Sequence, residues 1–341
     1  MDPSSLALFW AGVIALAILA YVVLDGFDIG VGILFGSERD ETRRGQMMNT
    51  IAPFWDGNET WLVVIGASLF AAFPAVYAIF LGAFYLPVLL MLVGLIFRGV
   101  AFEFRYRSAA MRPIWDAGFF GGSVLIAFVQ GAAVGALLRG VLVENMQYAG
   151  RPLDWLHPFP ILTGIGLVLG YALLGACWIG FKTDRTLQAW AFKRIPWLAA
   201  AVFVVLGLSY VIFVTSEIAV ARRGGLALHG LDLVLPILCA LSLAGVVAGV
   251  LARRDKAQFV MVVAFFLLAF LTLIKMIWPY MIPYAVTVAD AAAPEASLRF
   301  FFYAGIVVLP IIILYTVGKY WIFRGKVDLA RTGSRSGVAD N

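Results

Sequence analysis

The chain has 341 residues, of which 63% are hydrophobic and only 13% charged, and its mean hydropathy is +0.96. These values exclude a soluble globular domain and indicate an integral membrane protein. The net charge of +5 does not indicate nucleic-acid binding, because the basic residues lie in the loops between apolar runs.

Nine apolar runs are each long enough to cross a hydrocarbon core of about 30 Å. The first has no basic segment before it and no Ala-x-Ala cleavage site, so we interpret it as a membrane helix and not as a signal peptide. The sequence therefore predicts an all-α polytopic membrane protein with nine transmembrane helices. The predicted spans are residues 6–35, 55–77, 79–98, 114–138, 159–181, 196–217, 231–251, 257–280 and 300–323.

The distribution of basic residues predicts the orientation. Of the 25 Lys and Arg residues, 19 lie on one side of the membrane, in or next to the loops after spans 1, 3, 5 and 7 and at the C-terminal end. Five lie on the opposite side, and Lys275 lies within span 8. Positive residues accumulate on the cytoplasmic side of membrane proteins. We therefore expect the N-terminus outside and the C-terminus in the cytoplasm, which an even number of spans would not allow.

A weak internal repeat suggests how the spans are grouped. Residues 21–30 (YVVLDGFDIG) and 171–180 (YALLGACWIG) share Tyr, Leu, Ile and Gly at an offset of 150, although chance also explains four matches in ten. A real repeat would mean two four-helix bundles plus one extra helix. The predicted units are 1–138 (first bundle), 139–280 (second bundle), 281–324 (ninth helix) and 325–341 (cytoplasmic tail).

Acidic residues interrupt the first spans. The stretch DGFDIGVG follows nineteen uncharged residues and places Asp25 and Asp28 on one face of span 1, and Asp56 and Glu59 repeat this spacing in span 2. Charged side chains at bilayer depth are costly and usually functional. Carboxyl groups in such a place can relay protons, and we predict a cytoplasm-facing proton path there. Spans 1–4 gather six acids and several arginines near one depth: Asp25, Asp28, Asp56, Glu59, Glu103 and Asp116, with Arg98 and Arg105.

A structural interpretation of these acids remains open, in which they cap helix ends and pair with Arg98 and Arg105. Two further deep charges, Glu217 in span 6 and Lys275 in span 8, are predicted to form an ion pair with each other. The two histidines, His157 and His229, lie in outside loops. We therefore predict no cofactor and no metal site in this chain.

Four segments closely resemble subunit II of the cytochrome bd quinol oxidases. The matching stretches are DGFDIGVG (25–32), MMNTIAPFWDGNETWLVVIGASLFAAFPAVYA (47–78), FRGVAFEFR (97–105) and WDAGFFGGS (115–123). The resemblance is looser in the second half, up to VLPIIILYT (308–316), and WPYMIPYAVTVADAAAP (278–294) resembles the cyanide-insensitive branch.

The resemblance implies a bacterial inner-membrane oxidase that oxidises quinol and reduces oxygen to water. In that family subunit I carries the haems b and d and pairs with subunit II as a heterodimer. The family's acidic positions correspond to Asp25, Asp28 and Asp56, whereas Glu59 stands where relatives can have an uncharged residue, and Trp61 falls near an oxygen passage. A small third subunit, membrane lipids and a structural quinone are further partners that the resemblance allows.

Two other functions are compatible with the residues alone. A secondary, proton-coupled transporter also uses intramembrane acids, but its solute site would lie near the midplane, whereas these acids lie toward one side. A purely structural assembly subunit would use the same acids only to hold the helices together.

Overall fold

The computed structural model describes residues 3–107, 109–216 and 230–327. Within this part the chain is a bundle of long apolar helices with two short hairpins at one end. The elements in chain order are α1 (Pro3–Phe35), α2 (Glu41–Ile51), α3 (Trp55–Ala72), α4 (Pro74–Phe104), α5 (Arg112–Arg139), β1 (Val143–Glu144), β2 (Gln147–Tyr148), α6 (Pro158–Lys182), α7 (Arg185–Val214), α8 (Gly230–Leu251), α9 (Asp255–Ile277), β3 (Tyr280–Ile282), β4 (Val286–Thr287), α10 (Val288–Ala291) and α11 (Glu295–Ile322). The pairs β1–β2 and β3–β4 are antiparallel.

Eight helices of the described part are long and apolar enough to cross a membrane: α1, α4, α5, α6, α7, α8, α9 and α11. The predicted second span corresponds to α3, which has 18 residues and begins with the polar turns of DGNE. The polytopic all-α class is therefore confirmed. The count of nine stays a prediction that depends on α3, and the grouping into two bundles and the orientation also stay predictions.

Several predicted boundaries were wrong. Helix α4 runs from Pro74 to Phe104, where residues 79–98 were predicted, and α11 begins at Glu295 and not at residue 300. Span 2 ends at Ala72 and not at residue 77, because Phe73 leaves the helical conformation (φ −139°, ψ 61°) and Pro74 starts the next helix. Helix α7 begins at Arg185, eleven residues before the predicted start at Pro196. The added turns are helical because Leu187, Ala191 and Ile195 recur on one face and are fully buried.

The amphipathic helix α2 was not predicted and lies in what the sequence suggested to be a polar loop. Its N-cap is Asp40, whose carboxylate accepts a hydrogen bond from the backbone N–H of Arg43 at 2.9 Å. Met47, Met48 and Ile51 are buried on its inner face. Helix α2 thereby covers the end of the bundle next to the start of α3.

Glycines bring α1 and α6 into backbone contact. A Cβ atom at Gly30 would lie 1.8 Å from the carbonyl oxygen of Tyr171, and one at Gly175 would lie 2.4 Å from the carbonyl carbon of Gly30. Such contacts allow dispersion and polar interactions to hold helices together where lipid surrounds them. Next to this contact the rings of Phe27 and Trp178 stack at 3.9 Å. The two predicted bundles therefore share a tight contact.

The last helix, α11, packs against α1 and α3. The rings of Trp10 and Phe301 stack with centroids 4.0 Å apart, and Gly305 gives room for Trp10. At the other end of α11 the ring of Tyr320 stacks on Phe54 at 4.7 Å. This packing places α11 beside the acidic turns of α3.

The segment after α11, residues 323–327, is called here the C-terminal latch. Lys182 donates hydrogen bonds to the backbone carbonyls of Phe323 and Gly325, the latter at 2.8 Å. Lys326 contacts Asp184 at 2.6 Å and Asp255 at 2.9 Å, and these carboxylates raise its pKa. The latch therefore connects α11 to the α6–α7 turn and to the start of α9.

Candidate functional site

Three carboxyl groups surround one guanidinium inside the helix bundle. Asp25 and Asp28 of α1 are fully buried, Glu59 of α3 has a side chain that is 27% exposed, and Arg98 of α4 is buried between them. These four residues are called here the carboxyl cluster. The i, i+3 spacing of DGFD places both aspartates on one face of α1, as the sequence predicted.

Arg98 connects two of the acids. Its Nη1 lies 3.2 Å from Oδ1 of Asp25 and 2.9 Å from Oε1 of Glu59. Its Nε and Nη2, like Oδ2 of Asp25 and Oδ1 of Asp28, have no hydrogen-bond partner in the part of the chain that the structure describes. Several buried polar atoms of the cluster therefore still have bonding capacity for an exchangeable proton or a water molecule.

Asp28 has a different partner. The side-chain amide of Asn58 donates to Oδ2 of Asp28 at 2.6 Å and to the backbone carbonyl of Leu24 at 3.0 Å. The Oδ1 atom of Asn58 in turn accepts a hydrogen bond from the hydroxyl of Tyr320 at 3.1 Å. Sequence reasoning missed Asn58, although its position in the DGNE turn between Asp56 and Glu59 was a usable signal.

Close helix packing brings Arg98 to the acids. A Cβ atom at Gly122 of α5 would lie 2.6 Å from the carbonyl oxygen of Gly94 in α4. The two helices therefore touch one turn before Arg98, and the guanidinium is directed inward toward α1 and α3.

The cluster contains more acid than base. One guanidinium can compensate one of three carboxylates, and an uncompensated charge is costly in a medium of low dielectric constant. A proton is the simplest further counter-charge. The arrangement can therefore bind and release protons. Its carboxyl and amide groups are poor ligands for a haem iron, which is usually bound by an imidazole, thiolate or thioether.

Asp56 lies outside this buried group. It is exposed in the first turn of α3, three residues before Glu59 and close enough to interact with it electrostatically. The order from the surface inward is therefore Asp56, Glu59, Arg98 and Asp25. The sequence predicted Asp56 at the same depth as the other acids, but the structure places it at the exposed end of the cluster.

The other two acids of the predicted set are elsewhere. Asp116 and Glu41 bind the buried guanidinium of Arg105 beside α2. These three side chains form a second network. Glu103 pairs with Arg107 on the surface at 2.8 Å. The expectation of six acids near one depth is therefore corrected. Asp25, Asp28 and Glu59 form the cluster with Asp56 at its exposed end, whereas Asp116 and Glu103 belong to two other groups.

Trp61 lies one turn after Asn58 in α3 and is 5% exposed. It packs in an apolar cluster with Ala17 and Tyr21 of α1 and Leu309 of α11. Its indole N–H has no hydrogen-bond partner among the described residues. The side chain therefore borders an apolar contact between α1, α3 and α11.

Comparisons with known proteins identify the family of this chain. The family described as cytochrome bd terminal oxidase subunit II matches residues 6–323. The chain belongs to this family. It is 33% identical to the cytochrome bd-I ubiquinol oxidase subunit 2 of Escherichia coli K12 over 366 aligned residues, 96% of each chain. It is 30% identical to the cytochrome bd ubiquinol oxidase subunit 2 of Bacillus subtilis 168, over 95% of this chain and 98% of that one.

A solved structure shows the same fold. The bd oxidase from Geobacillus thermodenitrificans contains a chain that superposes with a TM-score of 0.76 at 16% identity, covering 94% of this chain and 99% of that chain. This subunit II is thus a multi-pass membrane protein and a subunit of a quinol oxidase complex, which implies a subunit I as its partner.

The remaining predicted residues of subunit II are partly outside the described chain. Glu217 and His229 lie there, so the ion pair of Glu217 with Lys275 stays a prediction; Lys275 is exposed in the last turn of α9. His157 is exposed just before α6. Within the described residues, no group of three or more His, Cys, Asp or Glu side chains is placed to hold a metal ion.

Proposed function

We propose that this chain is the haem-free subunit that supplies protons to a cytochrome bd oxidase in the bacterial inner membrane, while subunit I holds the haems. The observation that carries the proposal is the buried carboxyl cluster, in which Asp25 and Glu59 share the guanidinium of Arg98 and Asp28 lies buried beside them. Reduction of oxygen to water consumes protons, and an apolar bundle conducts none without titratable groups or water.

The proposed path begins at Asp56, which is exposed, and continues through the partly exposed Glu59 to Asp25 and Asp28. Arg98 stabilises a negative charge on Asp25 or Glu59 while a proton is elsewhere in the cluster. The distribution of basic residues indicates that the exposed end of the path, at Asp56, faces the cytoplasm.

A role in the oxygen passage is proposed for Trp61. The support is its position in an apolar cluster between α1, α3 and α11. Oxygen is apolar and moves through such regions more readily than protons do. A small third subunit, bound lipid and a structural quinone belong to the same proposal, on the ground of the family resemblance.

A structural role for the cluster is the competing proposal, because Arg98 joins α1, α3 and α4 through ion pairs. Removing one partner of a buried ion pair costs about 3–5 kcal/mol. Asp25→Asn therefore combines a proton-transfer effect with a stability effect. Asp28 makes no ion pair shorter than 4 Å among the described residues, and an asparagine there can still accept from Asn58.

Asp28→Asn is therefore the most informative variant. We expect it to lower oxidase turnover about tenfold or more, with the haem spectrum and the yield of the complex unchanged. Asp25→Asn and Asp56→Asn should also slow turnover, and Glu103→Gln, which removes a surface acid of α4, serves as the control. Normal turnover per haem in all three aspartate variants would refute the proton path, and loss of assembly with normal residual turnover would favour the structural role.

A further inference from the structure

A second group of polar side chains lies one helical turn from Asp25, on the side away from Asp28. It consists of Tyr21 of α1, Gln130 of α5 and Tyr171 of α6, and both tyrosines are buried. The amide nitrogen of Gln130 donates to the hydroxyl of Tyr21 at 2.8 Å, and the hydroxyl of Tyr171 donates to the amide oxygen of Gln130 at 3.1 Å.

The amide of Gln130 sets the direction of these hydrogen bonds. Its oxygen accepts from Tyr171, so its nitrogen faces Tyr21 and also the thioether sulfur of Met91, 3.5 Å away. An amide nitrogen can only donate, so Tyr21 must accept in this pair. The hydrogen of the Tyr21 hydroxyl is then free for another acceptor.

Asp25 offers an acceptor one helical turn away. It follows Tyr21 by four residues, so both side chains lie on the same face of α1, and both are buried. Arg98 donates to Oδ1 of Asp25, whereas Oδ2 is buried and has no hydrogen-bond partner among the described residues. Oδ2 is therefore an open acceptor next to a hydroxyl whose hydrogen is not yet used.

We propose that Tyr21, oriented by Gln130, is a positioning residue for Asp25 and ends the proton path there. The hydroxyl donates into the Asp25 carboxyl group, so the exchangeable proton stays on the side of Arg98, Asp28 and Glu59. Onward transfer from Tyr21 is blocked, because the next atom, the nitrogen of Gln130, cannot accept a hydrogen bond. This inference rests on the proposed proton path.

Tyr21→Phe in the assembled oxidase tests the inference with two measurements. The infrared carboxyl band of Asp25, identified by its loss in Asp25→Asn, should move to higher frequency because the carboxyl group loses a hydrogen-bond donor. The pH profile of turnover should move upward by about half a pH unit, because the ionised carboxyl group loses a stabilising partner. Gln130→Leu should give a smaller shift in the same direction.

Tyr171→Phe is the matched control, since it removes a buried hydroxyl from the same amide without touching Asp25. It should leave the Asp25 band in place, because the nitrogen of Gln130 still faces Tyr21 and Met91. The inference is overturned if Tyr21→Phe changes neither measurement, or if Tyr171→Phe changes them equally.

The two proposals fail in different ways. If the acids carry no protons, Asp25→Asn will show normal turnover, but the band shift in Tyr21→Phe will still report the contact. If Tyr21→Phe does not assemble, Gln130→Leu supplies the same measurement with Tyr21 intact, and an unmoved band there overturns the inference.

Discussion

Arg98 makes its contacts across three helices, so its surroundings depend on how closely those helices approach. At the residue scale the tightest approach is at Gly30, where any side chain would meet the backbone of Tyr171. Backbone atoms cannot rotate away as a flexible side chain can. The contact of α1 with α6 therefore requires glycine at this position, and the aspartates of α1 depend on it for their placement.

Gly30→Ala should destabilise the subunit by about 1–3 kcal/mol or more, because α1 and α6 must separate to admit the methyl group. The effect is measured as a lower melting temperature and a lower yield of the purified complex. Gly12→Ala on the same helix is the control, since a Cβ atom there meets nothing within 4 Å and alanine favours the helix. Equal effects of the two substitutions would contradict the account of the α1–α6 contact.

At the element scale, the proline-containing helices differ in how they accommodate the ring. Helix α4 departs from helical geometry at Phe84 (φ −121°, ψ 25°), three residues before Pro87, because the ring removes one N–H and crowds the preceding turn. Helix α7 continues through Pro196 as a single helix. The long α4 thereby reaches from Pro74 to the turn that carries Arg105.

The C-terminal latch is the element that joins α11 to the second half of the chain. Lys326→Met removes both ion pairs of the latch, so the backbone N–H of Val327, which donates to the carbonyl of Lys182 at 2.9 Å, should exchange faster with solvent. These pairs are partly exposed, and we expect an increase of only about two- to fivefold in hydrogen exchange.

The control for the latch is Arg324→Met, since the guanidinium of Arg324 lies over the ring of Trp321, whereas both ion pairs of the latch belong to Lys326.

The pKa of Lys326 is raised in the folded protein. The stabilisation by Lys326 is therefore fully present below the unfolded pKa of about 10.4 and is lost as the pH rises through the folded pKa. The protection of Val327 should therefore not change between about pH 6 and 9. A clear loss of protection within that range would show that Lys326 does not hold the latch.

At the scale of the whole molecule, subunit II is proposed to supply protons without a redox centre of its own. The chain purified alone should therefore show no stoichiometric haem absorption, while the complex with subunit I should show the full spectrum. The physical reason is that the buried donors near the site are carboxyl, amide and guanidinium groups, which are poor ligands for haem iron. A stoichiometric haem spectrum of the isolated subunit would contradict the proposal.

The sequence by itself determined the membrane class, most of the spans and the acidic residues at bilayer depth. These features are local, since a run of apolar residues and an i, i+3 pair can be recognised without knowing what packs against them. The resemblance to the bd oxidase subunits also rests on contiguous segments, and the family match over residues 6–323 confirmed it.

Only the tertiary structure decided which of these acids meet. The contacts of Arg98 with Asp25, of Asn58 with Asp28 and of Gln130 with Tyr21 join residues 73, 30 and 109 positions apart. Such contacts depend on the rotation and separation of whole helices, and those depend in turn on the glycine contacts between α1 and α6 and between α4 and α5. A linear pattern contains neither quantity, which is why Asp56 was grouped with the buried acids and the partners Asn58 and Gln130 were missed.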